Sequence, residues 1–137
     1  ITGGAPEMNP DFRWFVSEAQ ARGVKEIIVR SNLTIIVANP KYYDLPEFFR
    51  QHQVRVVSSL PFYNAGKTDR QRGEGVFKDS IDALHRLNKI GYGQPGSGLI
   101  LDLVYNPVGA FLPGAQSQLE RDFKHELKHH FNVDFNN

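Results

Sequence analysis

Apolar residues in this chain fall into two patterns that alternate along it. Three stretches hold short, nearly unbroken runs: Ile27, Ile28 and Val29 in "KEIIVRSN", Val54, Val56, Val57 and Leu60 in "QVRVVSSLPFY" before Pro61, and Leu99 to Tyr105 in "LILDLVYNP". Runs of this length suit strands buried on both faces, predicted near residues 26–30, 54–60 and 99–105. Around them the apolar positions recur every three or four residues. Phe12, Phe15, Val16 and Ala19 form one stripe, with Asn9 as cap, Pro10 at the first helical position and a stop at Gly23. Leu45, Phe48 and Phe49 form a second, with Asp44 as N-cap, Pro46 in the first turn and Glu47 placed to complete a capping box. Phe77, Ile81, Leu84 and Leu87 mark a third helix, closed by Gly91, and Leu119, Phe123, Leu127 and Phe131 a fourth near Gln116 to Phe131.

Strand and helix therefore alternate, which predicts an α/β fold: a parallel sheet built from repeated βα units, either doubly wound or part of a βα barrel, with right-handed crossovers. Ile1 and Thr2 read as the end of a strand delivering the turn "TGGAPE", so the sequence is expected to be an excerpt of something longer. Both architectures place ligands at the carboxyl ends of strands. The segments there, "TGGAPE", "RSNLT", "SSLPFYN" and "DLVYNPVG", hold glycine, small hydroxyl residues, asparagine and carboxylate, whereas the opposite connections are plainer.

Composition narrows the function classes. At 137 residues and 40% hydrophobic content the chain suits one domain with its own core. Sixteen basic against fifteen acidic residues give a net charge of +1, which argues against nucleic acid or an anionic membrane as partner. No apolar run approaches the roughly 20 residues of a membrane span, and a cytoplasmic protein is expected. Cysteine is absent, which excludes disulfides, thiolate metal sites and a cysteine nucleophile in this segment.

Three motifs weaken on inspection. "GYGQPG" fits G-x-G-x-x-G, but it follows a helix and leads into a strand, the reverse of a dinucleotide site, and reads as a helix stop. "HELKH" fits the zinc-binding H-E-x-x-H pattern. With Leu119, Phe123, Leu127 and Phe131 inward, however, His125 and His129 project about 200° away and face solvent. "TGGAPE" lacks the Lys-Ser/Thr pair of a phosphate-binding Walker loop; on its own it could be a tight turn that glycine permits.

Taken in order, "ITGGAPEMNPDFRWFV", "RSNLTII", "VVSSLPFYN", "DRQRGEGVFKDSIDALHRLNKIGYGQPGSGLILDLVYNPVG" and "LERDFKHELKHHFNVDFN" resemble the middle of the radical SAM/Cys-rich domain proteins, the group that includes the arsenosugar-biosynthesis radical SAM protein. The resemblance implies a fragment of a partial (βα)6 radical SAM barrel. Its parent would bind S-adenosylmethionine and a [4Fe-4S] cluster and cleave the former reductively to a 5'-deoxyadenosyl radical, acting on a small molecule, in organoarsenic metabolism if the family name is followed. Gly3, Gly4, Ala5 and Pro6 then occupy the second-strand turn that holds the methionine end of S-adenosylmethionine. Ser59 takes the ribose position, and Asn32 and Asn106 face the same cavity. Ala5 stands where many superfamily members have glutamate, leaving Glu7 two places on.

The same resemblance implies cluster cysteines on a strand before Ile1 and a Cys-rich domain after Asn137, so the segment alone would be inactive. The family often has cysteine where Ser31 and Phe62 stand here, which removes thiol chemistry from both positions. The rival reading is a non-enzymatic βα domain binding a nucleotide or a protein. Missing neighbours would expose apolar residues such as Val56, Ile100 and Phe111 and favour a homodimer or swapped assembly.

Overall fold

A computed structural model describes residues 1–60, 62–105 and 115–137. Asn106 and Phe111, assigned above to the cavity and to the exposed apolar set, lie outside the described residues. Three short strands, β1 (Ile28–Ser31), β2 (Arg55–Ser59) and β3 (Leu101–Val104), form one parallel sheet in the sequential order β1-β2-β3. Val29 stands opposite Val56 and Val56 opposite Leu101, while Arg30 pairs with Val57 and Val57 with Asp102. One residue at the start of the chain adds to the β1 edge: the Ile1 amine donates to the Ile28 carbonyl at 2.7 Å, and Arg30 N–H donates to the Ile1 carbonyl at 2.9 Å. Asn136 and Asn137 flank β3 in the same manner, through Asn136 N–H to Leu101 O and Leu103 N–H to Asn137 O.

Among the described residues six helices accompany the strands: α1 (Phe12–Ala21), α2 (Ile35–Ala38), α3 (Leu45–Gln51), α4 (Ala65–Arg72), α5 (Val76–Lys89) and α6 (Gln116–Phe131). Side chains alternate across a strand, and here the alternation separates an apolar face from a polar one. Val29, Val56 and Leu101 are fully buried and share one core with Val16, Phe49, Leu84, Leu87 and Leu127 from the helices. On the other face lie Ile28 at 41% exposure, Arg30, Arg55, Val57, Ser59, Asp102 and Val104. Arg55 Nε donates to Asp102 Oδ2 at 2.7 Å there, and Arg55 Nη1 reaches Glu26. Among the described residues the second face is open only along β1; it is half-buried along β2, and at β3 it carries the buried Asp102, so the expectation of burial on both faces fails for β1. Val56, expected to risk exposure, is completely buried.

The α5 and α6 stripes match the periodicity: Phe77, Ile81, Leu84 and Leu87 are buried, as are Phe123 and Leu127. Two helix starts differ. The first helix begins at Phe12 rather than Pro10; Asn9 accepts from Asp11 N–H at 2.9 Å in a local turn instead of capping it, and Phe15 is 52% exposed. Before α3, Asp44 has helical backbone angles, φ −87° and ψ −4°, and makes no cap hydrogen bond. Its carboxylate instead takes both Nη atoms of Arg13 at 2.7 and 2.9 Å, and Glu47 turns to Arg50 and Gln51. No capping box forms.

"GYGQPG" is explained by packing. A Cβ on Gly93 would lie 2.4 Å from the carbonyl oxygen of Asp134, so glycine lets the 133–135 segment close onto this turn. Asn88 clamps the contact: its amide donates to the carbonyls of Tyr92 and Asp134, and its oxygen accepts from Asp134 N–H. Beneath, the buried Tyr92 hydroxyl donates to Val54 O at 2.7 Å.

Candidate functional site

The carboxyl ends of β1 and β2, with the opening turn beside them, form the rim where the sequence places ligand chemistry. Gly3 (φ +132°) and Gly4 (φ +64°) both require the left-handed region, are exposed, and have nothing within 4 Å of a notional Cβ. The turn therefore presents bare backbone to open space. Ala5 and Pro6 are half-buried behind it, and Pro6 opens a single 3₁₀ turn, Pro6–Met8.

That turn swings Glu7 inward. The Glu7 side chain is buried, 4% exposed, and its Oε1 accepts from Ser31 Oγ at 2.5 Å, while Ser31 Oγ accepts from Leu33 N–H at 3.1 Å. Ser31 belongs to the helix-covered face with Val29, so Glu7 braces the turn from behind. Burial pushes its carboxyl pKa above the ordinary value of 4.5, against the opposing pull of the Ser31 hydrogen bond. The second oxygen, Oε2, is buried with no hydrogen-bond partner among the described residues. A protonated carboxyl meets this arrangement best, because a neutral acid loses far less on leaving water.

Ser31 pairs with Ser58 across the two strands. One residue further along each strand stand Asn32 and Ser59, so the structure brings these two candidates to the same level of the rim. Asn32 is half-buried and its Oδ1 accepts from Thr34 Oγ1 at 3.3 Å. Leu33 follows it with a left-handed φ of +63°, the strained position that turns the chain from β1 into α2. Ser59 is half-buried on the open face, opposite Val104. Glycine turn, Asn32 and Ser59 share the rim; Glu7 lies behind it.

Sequence reasoning missed α4, and with it most of the charge beside this rim. The helix has no apolar stripe, since its residues are "AGKTDRQR", so periodicity is silent. Its signal is the cap: Asn64 Oδ1 accepts from Lys67 N–H at 3.0 Å. Asp69 then accepts from Gly75 and Phe77 N–H, capping α5, whose start lacks a capping side chain of its own. Arg72, at the end of α4, has a buried Nε without a hydrogen-bond partner among the described residues, and desolvation together with nearby Arg30 lowers its pKa.

The histidine motif stays on the surface of α6. His125 and His129 are exposed, their rings stacked 5.7 Å apart, and Glu126 reaches His125 and His130 at 3.5 and 3.3 Å. Among the described residues no three His, Cys, Asp or Glu side chains converge as a metal site, and no helix is long and apolar enough to cross a membrane. No family model matches this chain, and neither a curated protein nor a solved structure is similar to it at a significant level.

Proposed function

We propose that this chain is a wall section of a radical SAM barrel whose strand-end rim holds S-adenosylmethionine. The observation that carries the reading is the one-sidedness of the sheet. Among the described residues, three sequential parallel strands have an apolar face under helices and a second face that mixes Arg30, Arg55, Ser59 and the buried Asp102 with Ile28, Val57 and Val104, with no helix shown packed on it. A doubly wound sheet covers both faces; a barrel wall puts helices outside and its second face toward a lumen. The resemblance of "TGGAPE", "SLP" and "VYNPVG" to the radical SAM/Cys-rich proteins then assigns the lumen its ligand.

On this reading Gly3 and Gly4 offer backbone groups to the methionine end, and the Ser59 hydroxyl offers a hydrogen bond to the ribose. Asn32 borders the same space, and Glu7 with Ser31 holds the turn in position. In a parent protein, S-adenosylmethionine with a [4Fe-4S] cluster would supply the radical chemistry. The residues here do not fit the cluster, because the chain contains no cysteine. Its thiolate ligands would belong to another part of the parent, and the role of this segment is to bind, orient and exclude water.

Without metal chelation of its amino and carboxylate groups, S-adenosylmethionine is expected to bind this chain no tighter than about 1 mM. A longer chain bearing three cluster cysteines on a preceding strand, reconstituted with iron and sulfide, is expected to cleave it under reduction. Gly4→Val should suppress that cleavage. Failure of the reconstituted protein both to bind and to cleave S-adenosylmethionine rejects the reading in favour of a non-enzymatic nucleotide- or protein-binding βα domain.

A further inference from the structure

Beyond the end of β2, a cleft of about 410 Å³ is lined by Phe62, Lys67, Arg70 and Gln71. Its size falls in the range of small-molecule sites. Lys67 Nζ sits 5.3 Å from the centre of the Phe62 ring, and that ring is held edge-on against Tyr105 at 5.7 Å. The Arg70 guanidinium is anchored through Nε to the Gly66 carbonyl at 3.1 Å, leaving its terminal nitrogens for other acceptors. Among the described residues neither Lys67 nor Arg70 has a carboxylate within 4.0 Å. The one acid of α4, Asp69, is spent on the amides of Gly75 and Phe77 at the start of the next helix. Two cations without a carboxylate partner among the described residues, and an aromatic ring, therefore line one cleft.

We propose that this cleft binds a small organic phosphate ester, with its phosphate between Lys67 and Arg70 and its flat apolar part against Phe62. A dianionic phosphate offsets both positive charges where a carboxylate offsets one. Arginine's fork and lysine's point charge are the two side chains suited to phosphate oxygens. Gln71 supplies a neutral donor and acceptor at the edge for a polar substituent. None of these four residues belongs to the rim assigned to S-adenosylmethionine, so the proposal stands independently of that assignment.

The test is a titration of the isotopically labelled chain with phenyl phosphate, inorganic phosphate and benzoate, followed by amide chemical shifts. Phenyl phosphate is expected to shift Phe62 and residues 64–72 to saturation, more tightly than either other probe, with affinity falling as salt rises. Lys67→Gln with Arg70→Gln should weaken it by about tenfold or more, the scale of losing charge-assisted hydrogen bonds. Phe62→Ala should bring phenyl phosphate down to the affinity of inorganic phosphate. Lys67 and Arg70 are exposed, and an unchanged melting temperature for their double variant makes lost binding a loss of the site. Benzoate binding equally well, no saturation by phenyl phosphate at tens of millimolar, or full affinity in the double variant would each overturn the proposal.

Discussion

Glu7 and Gly93 show how single residues set local cost. The Glu7 carboxyl has a folded pKa above 4.5, so the folded chain keeps its proton at pH values where the unfolded chain has released it. Stability therefore falls as pH rises from 4.5 through the folded value, and stays reduced above it. Glu7→Gln keeps an acceptor for Ser31 and removes the titration; denaturant unfolding across that pH range is expected to lose this component of the slope. A variant with the same slope as the parent would show that Glu7 is not buried as a neutral acid. At Gly93, an added Cβ meets backbone at 2.4 Å on top of a φ of +73°, so Gly93→Ala should cost about 2–4 kcal/mol by thermal or urea unfolding. Gly96→Ala is the control: φ is +75° but nothing lies within 4 Å, so only the conformational cost of about 1 kcal/mol is expected.

At the scale of elements, the start of α3 distinguishes a helix cap from a tertiary ion pair. Asp44 sits in the cap position, yet its carboxylate reaches back to Arg13 on α1, and that hydrogen bond is the main cause of its lowered pKa. Both side chains are well exposed, 41% for Arg13 and 65% for Asp44, and such pairs contribute about 0–1 kcal/mol. Asp44→Ala is expected to cost no more than that, and in a double-mutant cycle most of the loss should vanish when Arg13 is already alanine. A full loss in the Arg13→Ala background would restore the capping role. By contrast α5 and α6 follow their stripes closely, because each buries one face against a continuous core.

The whole molecule is asymmetric across its sheet. Helices seal one face, the other shows Ile28, Val57 and Val104 among charged residues, and the flanking segments give each outer strand only one or two residues of pairing. Met8, Trp14 and Phe15 add exposed apolar area near the β1 side, at 55%, 64% and 52%. Such edges and faces favour pairing between copies. Light scattering at tens of micromolar should report a dimer or larger species; a monomer at every concentration would count against this.

Hydrophobic period by itself determined the three parallel strands, the α5 and α6 helices and the solvent-facing placement of His125 and His129. Each depends only on which residues can leave water together, and that is written locally. The rim was legible in part: the glycines of "TGGAPE" announce a left-handed turn, and Asn32 and Ser59 fall level because their strands pair in register. Tertiary structure alone decided that Glu7 turns behind the rim to Ser31, that Asp44 answers Arg13 rather than its own helix, and that Gly93, already read as part of a helix stop, makes room for Asp134. The partners in those contacts are 24, 31 and roughly 40 residues apart in sequence, so no local pattern holds both halves. The open second face of β1 had the same origin: an apolar run permits burial on one face or two, and only tertiary packing chose between them.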